Sequence, residues 1–258
     1  MNTIIKLPGS LSGIRSGSPE IKSGISNNGL VLYLDAGDRN SYPRTGNTWF
    51  DLSISKTNGT LVPSNASRFN SDNGGSITFN KIDQYVDFGT ILRYETNPAT
   101  FTFSYWAYYP DFTTNSGVQG PIMFFTGGCT LSGYYDQLTT GGGDPPYSGI
   151  VFVTSSVAGA CVGTYTDSLA VKKATWVNIC HVVNGSSARI YVNGVDRSRS
   201  MGVHATPIKP SVNAFRLGHY LNGGYFMNGR ISVFMNYNRP LMPYEVKNNY
   251  DALKGRFP

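Results

Sequence analysis

The stretch from Trp176 to Gly194, WVNICHVVNGSSARIYVNG, commits the chain to a β architecture before anything else is considered. It reads as two apolar strands, Trp176–Val183 and Ala188–Val192, joined by the turn Asn184-Gly185-Ser186-Ser187. A second turn, Asn193-Gly194, follows at once. Asn and Gly tolerate positive φ, so Asn-Gly beside β-branched and aromatic runs is a hairpin signal. In the second strand Ile190 and Val192 share one face, while Arg189, Tyr191 and Asn193 share the other. The pattern predicts a central hairpin of a two-sheet sandwich and carries no chemistry of its own.

Other strands follow the same logic. GLVLYLDAG, from Gly29, is a buried strand, and the Asn-, Asp-, Gly- and Pro-rich DRNSYPRTGNTWFDLS after it is a loop anchored by Trp49 and Phe50. Thr100–Tyr109 alternates cleanly: Phe101, Phe103, Tyr105, Ala107 and Tyr109 take one side, Trp106 and Tyr108 the other. Pro121–Phe125 and Ile150–Thr154 are read as strands on either side of the loop Thr126–Ser148, the longest irregular stretch of the folded part. Loops of that length are uncommon unless they serve a function. Tyr134, Tyr135 and Tyr147 stand among its glycines, either as a contact surface for a sugar or a protein or packed on the sandwich rim. Arg197–Pro210 is read as a polar connection. Pro243–Leu253 has helical spacing at Val246, Tyr250 and Leu253, with Pro243 at a permitted first-turn position.

A chain of 258 residues with 30 Gly, 14 Pro and 17 Tyr suits one large all-β domain, long enough to bury a core without staples. The expected division is a flexible arm over residues 1–28 and a sandwich over residues 29–258. The arm is rich in Gly, Ser and Pro, yet Ile4, Ile5, Leu7, Leu11, Ile14 and Ile21 make it more apolar than a solvating linker needs. Such residues suit an attachment segment that orders on a partner. Met1–Pro8 lacks the apolar run of a signal peptide, and no stretch approaches a membrane span. The net charge of +6 is dispersed rather than gathered into a stripe, so neither nucleic acid nor membrane is an expected partner. Of three cysteines, Cys180 reads as a buried strand residue. Cys129 and Cys161 border loops and either pair or stay reduced, with two reduced thiols the preferred reading.

Taken in order, GLVLYLDAGDRNSYPRTGNTWFDLS, SDNGGSITFN…VDFG, FTFSYWAYY, TWVNI…ARIYVNG and MNGRISVFMNYNRPLMPYEVKNNYDALKGRF resemble the concanavalin A-like lectin/glucanase superfamily, in its laminin-G-like branch. The resemblance implies an all-β fold, a two-sheet antiparallel jelly-roll sandwich with a short C-terminal helix. The closing run NGRIS…NYNRPL…EV…NY…LKGRF also resembles structural proteins of large tailed bacteriophages. That likeness implies a non-enzymatic virion protein, a capsid decoration or a head or tail appendage held through its arm. Its partners would be virion proteins such as the major capsid protein, with a homo-oligomer left open. The alternative is a carbohydrate-binding adsorption module recognising host surface glycans, with Tyr134, Tyr135, Tyr147 or Tyr225 lining a shallow groove.

Fold alone does not settle between sugar binding and hydrolysis. Retaining glycoside hydrolysis needs two carboxyl groups about 5 Å apart. The three glutamates, Glu20, Glu95 and Glu245, fall in the arm, a loop and the helix, so no catalytic residue is assigned. His181, His204 and His219 are scattered, and His181 reads as a core histidine. Laminin-G-like relatives also imply a structural calcium, for which Asp35, Asp38, Asp51, Asp83 and Asp87 come into view. The same side chains can bond their own loop backbones, so no cofactor and no metal ligand are assigned.

Overall fold

The structure, a computed structural model, describes residues 22–64, 68–90, 99–112, 122–124, 134–139, 145–155, 161–204, 208, 214–220 and 225–258. The fold is a mostly β, antiparallel sandwich. Its main sheet, eight-stranded among the described residues, runs in the order Val195–Asp196, Ser187–Val192, Trp176–Asn184, Thr100–Tyr108, Asn228–Tyr237, Ser76–Asn80, Phe69–Asn70. Leu30–Asp35 pairs with the far half of Asn228–Tyr237. The opposing layer holds a five-stranded sheet built around Ile150–Ser155 and a four-stranded sheet containing Tyr85–Asp87.

The alternation read in Thr100–Tyr108 decides which side chains enter the core. Phe101, Phe103, Tyr105 and Ala107 pack between the layers with Phe152 and Leu138 from the opposing sheet, while Trp106 points to the outer face. The long hairpin forms as expected: Trp176–Asn184 pairs with Ser187–Val192, Asn184 opposite Ser187. At the second turn Asn193 and Gly194 both have positive φ, 52° and 75°, as a two-residue hairpin turn of the primed type demands. The Asn193 side chain also accepts a hydrogen bond from the Asn178 N–H.

The outer face of the main sheet is covered by the helix Pro243–Leu253 and the chain end. Trp106 stacks on Phe257 with ring centroids 4.1 Å apart and on Tyr250 at 5.5 Å. Burying one such side chain contributes roughly 1.5–3 kcal/mol. Glu245, in the first turn, accepts from the Met242 N–H, from the Ser26 hydroxyl and from both terminal nitrogens of Arg239. The guanidinium holds its carboxyl down at about 2. Within the stretch assigned to the arm, residues 22–28 lie against this helix: Ile25 is buried and the Ser26 N–H donates to Asn249. Ile4, Ile5, Leu7, Leu11, Ile14 and Ile21 lie outside the described residues.

The loop after the first strand covers that strand's outer edge. Asp51 accepts from the Tyr33 N–H, the Ser41 hydroxyl accepts from the Asp35 N–H, and the Leu52 N–H donates to the Tyr33 carbonyl. Among the described residues no helix is long and apolar enough to cross a membrane.

Three readings need correction. The stretch Thr126–Ser148 is not wholly irregular, because Tyr134–Leu138 forms a strand between Ile122–Phe124 and Ile150–Ser155. The connection after Arg197 contains the strand Ser198–Met201, paired to Cys161–Thr166. Cys161 is disulfide-bonded rather than reduced, with its partner outside the described residues, while Cys180 is free and buried.

Candidate functional site

Tyr147 is the one of the four sequence-predicted tyrosines whose side chain is described. It sits on the two-residue strand Tyr147–Ser148, paired with Val171–Lys172, and remains 38% exposed. Beside it opens a cleft of about 280 Å³ lined by Thr139, Pro146, Tyr147, Ser148, Ser168 and Leu169. The Thr139 N–H donates to the Gly149 carbonyl and lies 3.2 Å from the Ser148 hydroxyl, which holds one wall against the other. Pro145 and Pro146 lack N–H donors and have restricted φ, and the Pro146 carbonyl accepts from the Lys173 N–H. On the facing side the Asp167 carboxylate accepts from the Leu169 N–H and shapes the turn that carries Ser168. Gly149 allows the close approach, since a Cβ there would come 2.7 Å from the Thr139 hydroxyl.

The lining among the described residues is hydroxyls, prolines, a leucine and one aromatic ring, with no carboxylate. Such a surface can pack an apolar ring face against tyrosine while its hydroxyls and carbonyls exchange hydrogen bonds with a ligand. Tyr134 and Tyr135 lie on the strand Tyr134–Leu138, where Tyr135 is register partner to Val153. Tyr225 lies on the short strand Tyr225–Phe226 opposite His219–Tyr220. Within that pair Phe226 stacks on His219 at 4.2 Å, and nearby Arg216 lies over Tyr85 while bonded to Asp87. The arginine and carboxylate are committed to each other there.

A second polar constellation lies where sequence reasoning found none. Tyr105 donates its hydroxyl proton to Asp136 Oδ2, and His181 Nε2 lies 3.0 Å from the same oxygen. Tyr105 and His181 belong to the main sheet and Asp136 to the opposing one, so the group ties the two layers together through the core. All three are buried, and desolvation pushes the Tyr105 hydroxyl well above its ordinary value. Among the described residues Asp136 Oδ1 and His181 Nδ1 have no hydrogen-bond partner. Full burial makes the cluster a structural tie rather than a surface open to substrate.

His204, expected in a polar connection, is also buried. Its Nδ1 lies 2.8 Å from the Thr154 hydroxyl and its Nε2 2.8 Å from the Thr164 hydroxyl. The Thr164 proton goes to the Ala188 carbonyl, so Thr164 accepts from Nε2–H and Nδ1 is left to accept from Thr154. That arrangement satisfies a neutral ring on both sides, and burial lowers its pKa to about 4.

The aspartates raised for calcium have protein partners. Asp51 accepts from Tyr33, Ser53 and Thr57 N–H groups, and Asp35 from Arg256 and the Gly37 N–H. Asp38 bonds the Asn40 N–H, Asp83 accepts from Asn80, and Asp87 is paired with Arg216. Among the described residues no three His, Cys, Asp or Glu side chains converge.

Comparison with known proteins agrees with this architecture. The chain is similar to domain 4 of an extracellular arabinanase from Geobacillus stearothermophilus, solved in complex with arabinotriose. That match has a TM-score of 0.59 at 15% identity and covers 88% of this chain and 100% of that one. It is also similar to the receptor binding domain of a botulinum neurotoxin C/D mosaic serotype, with a TM-score of 0.64 at 13% identity over 88% of this chain. The binding domain of Paraclostridial Mosquitocidal Protein 1 matches with a TM-score of 0.59 at 17% identity over 87% of this chain. The chain spans 52% of the length of each of these two toxin domains. No curated protein sequence matches. A laminin G family model matches residues 79–247, which run from the strand Ser76–Asn80 through both layers and the hairpin into the C-terminal helix. With most of the sandwich inside that match, the chain belongs to the concanavalin A-like lectin/glucanases superfamily.

Proposed function

We propose that this chain is a carbohydrate-binding recognition domain, and that the cleft beside Tyr147 receives a saccharide without cleaving it. The observation that carries the reading is the exposed Tyr147 ring standing over an uncharged, hydroxyl-lined cleft. Stacking on an aromatic face gives affinity without buried charge. The described lining holds no carboxylate, which supports binding without cleavage, since glycoside hydrolysis uses a pair of acids. The arabinotriose in the arabinanase domain and the receptor-binding role in the toxin names are consistent with recognition by this fold. A glycan array followed by calorimetry tests it. Tyr147→Ala should weaken saccharide binding about tenfold, and Tyr147→Phe should keep most of it. Unchanged affinity in the alanine variant would remove Tyr147 from the site.

A second reading adds where the domain works. We infer that it is a phage virion protein, a capsid decoration or head or tail appendage displaying this cleft. The C-terminal run that resembles phage structural proteins is the segment that holds residues 22–28. On this reading the apolar-dotted residues before them, which lie outside the described residues, serve as the attachment segment toward virion proteins such as the major capsid protein. Mass spectrometry of particles assembled with a chain lacking residues 1–21 should show the protein lost. Incorporation at the full level would refute attachment through the arm.

A further inference from the structure

We infer that the saccharide taken by the Tyr147 cleft is anionic, carrying a carboxylate or a sulfate. This deepens the saccharide-binding reading and rests on it. The cleft itself is neutral, but what surrounds it is not. Lys172 is the cross-strand partner of Tyr147, and its side chain is exposed. Lys173 follows it and is bound through its N–H to the Pro146 carbonyl of the lining. From the facing side Arg197 and Arg199 both reach Asp167, the residue just before the lining pair Ser168 and Leu169.

Neither of those contacts is a committed bond. Arg197 Nη1 lies 3.6 Å and Arg199 Nε 3.8 Å from the same carboxylate oxygen. The arginine side chains are 43% and 66% exposed. One carboxylate cannot neutralise two guanidiniums, and exposed pairs at such separations contribute little to stability. Their planar N–H forks stay available to a ligand oxyanion, which guanidinium recognises with two parallel hydrogen bonds. Asp144 adjoins Pro145 in the sequence and lies outside the described residues. Among the described residues, Lys172, Arg197 and Arg199 flank the cleft against the single carboxylate of Asp167.

The division of labour follows from this layout. Tyr147 and the hydroxyls of Thr139 and Ser168 would hold a sugar ring of either kind. The flanking cations would select the one bearing an acidic substituent. Surface charges act over about a Debye length, some 10 Å at 0.1 M salt, so the preference should fade as salt rises while stacking persists.

The test is calorimetric titration of the full chain with matched probes, sialyllactose against lactose and a galacturonic acid trimer against galactotriose, at low and high salt. An acidic member should bind about tenfold tighter than its neutral match at low salt. The triple variant K172Q/R197Q/R199Q should bind both members equally, with its melting temperature near that of the parent. Y147A should weaken both. Equal binding of neutral and acidic members by the parent would overturn the charge preference and leave saccharide binding standing. A chain that binds neither pair would overturn the saccharide reading from which the preference grows.

Discussion

Asp136→Ala is expected to cost on the order of 3–5 kcal/mol of folding stability. The side chain is buried between the layers and receives both the Tyr105 hydroxyl and the His181 ring. Removing it leaves the His181 ring without its acceptor, in an apolar interior walled by Phe103 and Phe152 at 4.7 and 5.1 Å from the imidazole, and leaves the Tyr105 hydroxyl only Tyr109. An unpaired buried polar group bears its full desolvation penalty. Asp136→Asn, which keeps an acceptor oxygen, should cost less. The double variant D136L/H181L should recover much of the loss, because an apolar replacement of a buried pair is often neutral. Equilibrium urea denaturation of the three variants measures this. An alanine variant as stable as the parent would show that the tie contributes nothing.

Acidification should weaken the fold well before its carboxylates are protonated. His204 is held neutral between two threonine hydroxyls, with its folded pKa lowered from 6.5 to about 4 by burial. In the unfolded chain the ring takes up a proton near pH 6.5, so below that pH the unfolded state binds more protons and stability falls. The contribution is whole above pH 6.5 and disappears progressively as the pH drops toward 4. Integrated across that window the loss is roughly 3 kcal/mol. His204→Gln should be less stable than the parent at pH 7 and should flatten the decline between pH 6.5 and 4. Denaturation midpoints at stepped pH would show it, and equal slopes in the two proteins would assign the acid response to other groups. Glu245 acts lower down, because its folded pKa of about 2 preserves its stabilisation until the pH falls below the ordinary carboxylate value of 4.5.

The elements legible in the sequence are those whose signal is local. TFTFSYWAYY shows its two faces through strict alternation, and the structure separates Phe101, Phe103 and Tyr105 from Trp106 accordingly. Asn193-Gly194 marks its turn because few residue pairs adopt positive φ twice in succession. The helix shows through Pro243 and the spacing of Val246 and Leu253. What stays hidden depends on distant pairing. YYDQL lies beyond a glycine-rich run and alternates only weakly, and it becomes a strand because it finds partners on both sides. Asp136 therefore looks like a loop residue although it faces the core. His204 falls in the stretch read as a connection, and the threonines that bury it lie 50 and 40 positions away. For the candidate site, Tyr147 stands out in the sequence as an aromatic beside Pro-Pro. Ser168, Leu169 and the two arginines do not, because the pairing of Tyr147 with Lys172 is what brings that side of the cleft to it.

The margins of the main sheet govern how copies of this chain behave when crowded. A long free strand edge offers a row of open N–H and C=O groups that recruits another chain into a growing sheet. Here the two terminal strands, Val195–Asp196 and Phe69–Asn70, are each only two residues long. The longer Leu30–Asp35 has the outward N–H and C=O of Tyr33 and the N–H of Asp35 occupied by Asp51, Leu52 and Ser41 of its own loop. Little backbone along this sheet is left for a neighbour to extend. Copies held at high density on a surface would therefore meet mainly through side-chain faces, since the described strands leave only short stretches of edge for strand recruitment.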